Sequence, residues 1–358
     1  MTLGERIKIA RSTQGLSLRA LAEQVGVSAM AISKYERDLD VPSSGVLLRL
    51  AQALEVKVEF FFRRQEVQLS EPAFRKRTSL PRKQEKAVLA RVQEWLERYL
   101  ETESFFDLER MPEFSLPDET ERRVTSLQDV EDVVVALRTA WGLGLGPIDS
   151  MVELLEDHGI KVGLVDGHDK FDACTIWANR TVPVIVVKRD DIPGDRQRFS
   201  LAHELGHLVL KPGSEVDEEK AAYRFAGAFL VPEPKVRFEL GEKRDTLDLY
   251  ELHLLKHKYG LSMQGWIYRA RDLGILSENA ARRLFQQFRR EGWHRKEPGD
   301  QLPQEEPARM QRLVLRALAE DLISKSRGAE LLGKPLSQFY REEAGQHGGF
   351  PTVAGVHS

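Results

Sequence analysis

Apolar residues recur every three or four positions along most of this chain and cluster into short β-branched runs in one stretch only. Near the start, Leu3 to Ala10, Leu18 to Val25, Ala29 to Arg37 and Ser44 to Leu54 read as four short amphipathic helices. Ser17 and Ser28 are placed as N-caps and Gly26 sits in the turn between the second and third, which is helix-turn-helix spacing. That spacing turns Leu21, Ala22, Val27 and Ile32 inward as packing residues. Helical periodicity returns over 84–103, Leu127 to Arg138 and Ile148 to Glu156. Three runs, Gly159 to Val165, Ala173 to Ala178 and Pro183 to Val187, are separated by Gly, Asp and Asn turn residues and predict a small sheet with an exposed edge. Phe199 to Leu210 is helical again, and apolar residues at 222, 225, 226, 229 and 230 predict a second helix ended by Pro232. Leu252 to Leu276 reads as helix, turn, helix around Gly260 and Ser262; Leu313 to Glu320 and Ser324 to Gly333 read as helices, with a frayed tail from Gly345. The expected class is α+β: an N-terminal all-α bundle, helices packed on a short three-stranded sheet, and a helical C-terminal extension.

Length and charge sharpen this outline. A chain of 358 residues is too long for one ordinary core and divides into two or three domains. The net charge is only −3, and residues 1–62 hold eight basic and seven acidic side chains, so bulk attraction to nucleic acid is small. From Arg63 to Val92 there are nine Lys or Arg against three acids, including Arg75-Lys76-Arg77 and Arg82-Lys83. Such a stretch neutralises phosphates or serves as a solvated linker into the polar helix beyond it. Cys174 is the only cysteine, so disulfides within the chain are excluded and no thiolate-rich zinc site is expected. No run of eighteen apolar residues and no secretory leader occurs, and the expectation is a cytoplasmic protein without a membrane partner.

The chemistry concentrates in His203-Glu204-Leu205-Gly206-His207. On a helix the two imidazoles lie one turn apart on one face and reach a single tetrahedral zinc, while Glu204 projects toward the metal's open side as general base. A catalytic zinc takes three protein ligands, and the third is sought in the acidic cluster Glu215, Glu218 and Glu219; Glu219 continues the inner face of the following helix. These acids also complement a helix N-terminal dipole. Tyr223, His253, His257 and Tyr259 are candidate donors to a tetrahedral oxyanion, none of them singled out.

Two resemblances follow from these residues. Phe199-Ser-Leu-Ala-His-Glu-Leu-Gly-His-Leu-Val-Leu, then Glu219, then Phe225-Ala-Gly-Ala-Phe-Leu-Val-Pro232, resembles the ImmA/IrrE-type metallopeptidases. The resemblance implies a zincin-like fold, Zn2+ held by His203, His207 and Glu219, and Glu204 as the catalytic base. The chain departs from that pattern where the family's Glu-Ala-Asn is Ala221-Ala222-Tyr223. Ser17-Leu-Arg-Ala-Leu-Ala-Glu-Gln-Val-Gly-Val-Ser28, with Ile32 to Arg37 and Pro42, resembles the Cro/C1-type (XRE) domain. This implies double-stranded DNA as a partner. Ser28, Met30, Ser33, Lys34 and Arg37 are then candidate base or groove contacts, Arg19 and Arg11 are candidate phosphate contacts, and a homodimer would read paired half-sites. Ala29 stands where the family often has Gln, so no bidentate adenine contact is expected there.

The expected boundaries are 1–64 for the DNA-binding domain, 65–125 for a basic linker and helix, 126–276 for the metallopeptidase domain and 277–358 for the extension. The function these features imply is a transcriptional regulator with a zinc endopeptidase that cleaves a repressor protein. The alternatives are a regulator or antitoxin whose peptidase-like domain is a non-catalytic sensor or dimerisation body, and a zinc hydrolase of a non-peptide substrate.

Overall fold

A computed structural model describes residues 2–56, 58–62, 67–70, 82–107, 111–120, 123–165, 171–189 and 192–348. The basic triplet Arg75-Lys76-Arg77 and residues 349–358 lie outside the described residues. The chain is α+β, and it forms two compact units, Met1–Gln93 with Pro112–Pro307, and Glu94–Met111 with Ala308–Ser358.

The first helices are α1 (Leu3–Thr13), α2 (Leu18–Val25), α3 (Ala29–Tyr35) and α4 (Ser44–Ala53). Serine begins three of them: the hydroxyls of Ser17, Ser28 and Ser43 accept from the backbone N–H three residues on, satisfying donors that the helix itself leaves open. Gly26 ends α2 at φ 71°, a left-handed conformation that carries no Cβ penalty in glycine. Ile7, Leu21, Val25, Ile32, Leu50, Leu54 and Phe60 close over one another as this bundle's core. Val27, expected inward, is half-buried against it.

Helix α5 (Arg82–Glu103) and strand β1 (Arg123–Val124) precede α6 (Asp129–Ala140) and α7 (Met151–Asp157). The sheet follows as β2 (Lys161–Val165), β3 (Ala173–Ala178) and β4 (Val182–Lys188), in the order β2-β4-β3, with β2 parallel and β3 antiparallel to β4. Pro183 lies in the central strand without breaking the ladder. It faces Trp177, whose N–H and C=O both point outward to Ser70, so this is a non-bonded pair and the missing N–H costs nothing on that side. The outer edge of β3 is not wholly exposed as expected. Gln68–Ser70 pair with it antiparallel: Ser70 N donates to Trp177 O (2.8 Å), Asn179 N to Gln68 O (2.8 Å) and Gln68 N to Asn179 Oδ1 (3.0 Å). The segment runs toward Thr175, whose backbone groups face the same outer side by alternation.

Helix α8 (Gly194–Val209) lies on the sheet, and β5 (Lys211–Pro212) leads through a turn into α9 (Glu218–Leu230). Then come α10 (Glu233–Leu240), α11 (Leu249–Tyr259), α12 (Met263–Asp272) and α13 (Glu278–Arg290). One core joins them: Leu201 and Leu205 of α8, Phe225 and Phe229 of α9, Leu252 of α11, Trp266 and Ile267 of α12 and Phe288 of α13 are all buried together with Val133 and Leu137 of α6. The helix, turn, helix read at Leu252 to Leu276 is part of this core, its second helix buried through Met263, Trp266 and Ala270. In the other unit, α14 (Arg309–Ala319), α15 (Lys325–Leu331) and α16 (Leu336–Gly348) are accompanied by ion pairs such as Arg327 with Glu101. Helical structure persists past Gly345 as far as Gly348.

Candidate metal centre and helix-turn-helix surface

Helices α8 and α9 create the centre by packing side by side. Gly206, inside the H-E-x-x-H sequence, permits the approach: a Cβ there would stand 3.1 Å from Phe225 Cδ1, tighter than ordinary packing allows. The acids at the start of α9 then face the imidazoles of α8, each in a different role. Asp217 is the N-cap, accepting from Lys220 N. Glu218 Oε1 lies 3.3 Å from His207 Nδ1. Glu219 turns inward, 3.4 Å from His203 Nε2 and 3.7 Å from His207 Nε2, and the two Nε2 atoms are 3.1 Å apart. Glu215 instead lies 3.8 Å from Arg123. The acidic cluster thus divides into one helix cap, one partner for the outer nitrogen of His207, one inward carboxylate and one surface ion pair.

The three inward donors suit zinc. Ligands about 2.0–2.1 Å from a tetrahedral centre stand about 3.3 Å from one another; the two Nε2 atoms are 3.1 Å apart, and Glu219 sets Oε2 3.4 Å from His203 Nε2 and Oε1 3.7 Å from His207 Nε2, so its carboxylate lies within reach of a shared ion. His203, His207 and Glu219 are the metal-competent group of His, Cys, Asp and Glu side chains found among the described residues. Glu218 on the far nitrogen of His207 is the carboxylate–imidazole arrangement that orients a ligating ring and raises its basicity.

Glu204 is buried beside this group, and Thr175 Oγ1 of β3 donates to its Oε2 at 2.7 Å. That contact went unread in the sequence, although a lone hydroxyl in the apolar run Ala173 to Ala178 was the signal for it. Cys174, next along the strand, is buried; burial and then the charge of Glu204 push its thiol well above the ordinary value, so it stays protonated. Tyr223 stands at the mouth with its ring 4.5 Å from that of His203. Burial, then the charges of Glu219, Asp172 and Glu204, raise its phenol above 10 and keep it a donor. The other three candidate donors are engaged elsewhere: Tyr259 donates to Glu239 (2.6 Å), His257 Nε2 is 3.2 Å from Asp300 O, and the His253 ring packs on His257 at 4.5 Å.

Below the centre, Glu131 of α6 accepts from Arg224 of α9 (2.6 Å) and from both terminal nitrogens of Arg269 of α12 (2.6 and 3.1 Å). All three are buried, and they fix the helix that carries Glu219 against its neighbours. Burial alone would raise the Glu131 carboxyl, but the charges and hydrogen bonds of Arg269 and Arg224 outweigh it and hold it below its ordinary value of 4.5.

In the N-terminal bundle, Ser28, Met30, Lys34 and Arg37 are exposed along or beside α3, Ser33 is half-buried, and Arg19 is exposed on α2. Ser28 Oγ accepts from Ala31 N as the N-cap, and Arg37 Nε donates to Ser33 O at 3.1 Å. Arg11 corrects an expectation: its guanidinium forks onto Glu36 (2.5 and 2.9 Å) and donates to Leu16 O (2.8 Å), bracing α1 against α3 instead of facing a phosphate.

Comparisons with known proteins agree with both halves. Residues 7–61 match the helix-turn-helix family model, and residues 155–271 match the model of the IrrE N-terminal-like domain, a Peptidase_M78 family. The chain therefore carries an XRE-type helix-turn-helix domain and an IrrE N-terminal-like domain. It is 33% identical over 67 residues to the HTH-type transcriptional regulator ImmR of Bacillus subtilis (strain 168), covering 19% of this chain and 53% of that one. It is 42% identical over 59 residues to an uncharacterized HTH-type transcriptional regulator of Mycobacterium tuberculosis (strain ATCC 25618 / H37Rv), covering 16% of this chain and 42% of the other. The chain thus spans about half the length, or less, of these curated relatives. No helix among the described residues is long and apolar enough to cross a membrane.

Proposed function

We propose that this protein is a DNA-binding transcriptional regulator whose IrrE N-terminal-like domain is a zinc-dependent endopeptidase acting on a repressor protein. The observation that carries the catalytic half is the convergence of His203, His207 and Glu219 into one metal-competent group, with Glu204 buried and oriented beside them. Zinc bound there supplies Lewis acidity, polarising a peptide carbonyl and acidifying water. Glu204, held by Thr175, accepts the water proton and returns it to the leaving amine nitrogen. Glu218 fixes the ring of His207, and Tyr223 offers a proton donor to oxygen at the mouth. The β3 edge suits an extended polypeptide, because Gln68–Ser70 of this chain already pair on it in antiparallel register.

For the DNA-binding half, Ser28, Met30, Ser33, Lys34 and Arg37 enter the major groove, Arg19 holds phosphate, and two copies read paired half-sites. The domain limits that accompany this reading are 1–64, 65–125, 126–276 and 277–358.

The test uses zinc-loaded protein and a Glu204→Gln variant against a peptide library and against helix-turn-helix repressor proteins that share its operator DNA. Cleavage by the wild type, lost in Glu204→Gln with zinc content unchanged, is the expected result. Glu219→Ala should lose zinc as well. Zinc absent from the wild type, or all polypeptides left intact by both proteins, would leave a DNA reader with a non-catalytic body.

A further inference from the structure

The groove between α8 and α9 does not end at the metal centre. One turn back from His203 on α8 is Phe199, and one and two turns beyond Glu219 on α9 are Tyr223 and Gly227. The Tyr223 ring stacks over Phe199 at 6.1 Å and touches the His203 ring at 4.5 Å. These residues form one wall of a cavity of about 870 Å³ that α12 closes through Gln264, Tyr268 and Arg269. Gly227 lets the Arg269 stem pack directly against α9, since a Cβ there would stand 2.8 Å from Arg269 Cδ.

Its charges do not balance. Four cations, Lys220, Arg224, Arg269 and Arg271, line the cavity. They meet three carboxylates, Glu131, Asp272 and Glu278, which are already taken up by Arg224, Arg269 and Arg271. Lys220 is exposed and has no ion-pair partner among the described residues. A cation left over at a partly enclosed cavity favours an anionic ligand, and the rings of Tyr223, Phe199 and Tyr268 favour one carried on methylenes.

We propose that this cavity is a side-chain subsite of the metal centre, and that it takes an acidic side chain of the bound polypeptide within one or two residues of the bond presented to Glu204. The proposal rests on the peptidase reading for its ligand, so its test does not require turnover. Full-length, zinc-loaded Glu204→Gln protein is titrated with fluorescent decapeptides that differ only in a central Glu, Gln or Lys, and binding is read by anisotropy. The Glu peptide should bind about tenfold more tightly than the Lys peptide, with Gln between. Lys220→Glu, a surface change that leaves the buried network intact, should remove most of that preference, and 0.5 M salt should weaken it. Equal affinity for the three peptides, binding of none, or an unchanged preference in Lys220→Glu would overturn the subsite. A wild type that binds with this preference yet hydrolyses nothing defeats the peptidase reading alone; one that cleaves without regard to charge defeats the subsite alone.

Discussion

At the residue scale, Thr175 makes the sharpest claim. Its hydroxyl is a donor to a buried carboxylate, and a buried acceptor that loses its donor keeps its desolvation cost. Thr175→Val, which keeps the side chain's shape, should lower kcat about tenfold while zinc content stays at the wild-type level, as checked by metal analysis beside peptide hydrolysis. Unchanged kcat would mean that Glu204 needs no such partner. Glu204 and the two histidines were legible in the sequence because four-residue spacing on a helix is a local geometry. Thr175 was not, because it meets Glu204 across 29 residues, and only the docking of a helix on a sheet brings them together. Glu219 stood between: periodicity put it on the inner face and the family resemblance singled it out, but the separate parts played by Glu215 and Glu218 needed the packing of α9 on α8.

At the scale of elements, two features govern how well the centre is held. Gly206 sets the spacing of α8 and α9, and Gly206→Ala pushes Phe225 and α9 outward. The expected cost is about 1–3 kcal/mol of stability with weaker zinc retention, measured by urea unfolding and by competition with a chelating dye. Stability lost without any change in zinc retention would separate the glycine from the centre. The second feature is the Glu131 network. Because the folded state depresses this carboxyl, its contribution is complete above its ordinary 4.5 and is lost as the pH falls through the lower folded value. Glu131→Gln leaves two buried guanidiniums short of a charge and should cost about 3–5 kcal/mol near pH 7. The gap from wild type should narrow in unfolding curves taken below pH 4.5; a gap constant with pH would exclude this network as its source. The helices that carry both features were readable from apolar periodicity, whereas the charged network was not. Arg224 and Arg269 look like ordinary surface residues on helices until a third helix supplies Glu131.

At the scale of the whole molecule, the pairing of Gln68–Ser70 with β3 matters most, and it left no trace in the sequence because so short a segment has no period to read. Asn179 sits in the left-handed turn after β3 at φ 52° while its side chain accepts from Gln68 N. Asn179→Gly keeps the turn and removes that acceptor, so amide exchange at Gln68 and Ser70 should quicken while the β3–β4 ladder stays protected. Equal exchange at these amides in both proteins would show that the side chain plays no part in the pairing.

That stitch also sets a leash. Phe62 ends the last helical turn of the N-terminal bundle, and the chain is fastened to the sheet from Gln68, so the connecting residues can span at most about 20 Å even when fully drawn out. Under the proposed function, a protein bound at the operator beside the N-terminal domain would therefore be kept within a few nanometres of Thr175 and Glu204. Such confinement corresponds to a local concentration on the order of millimolar. A target too weakly bound to be found in free solution would still be met often on DNA, and proximity would do the work of affinity.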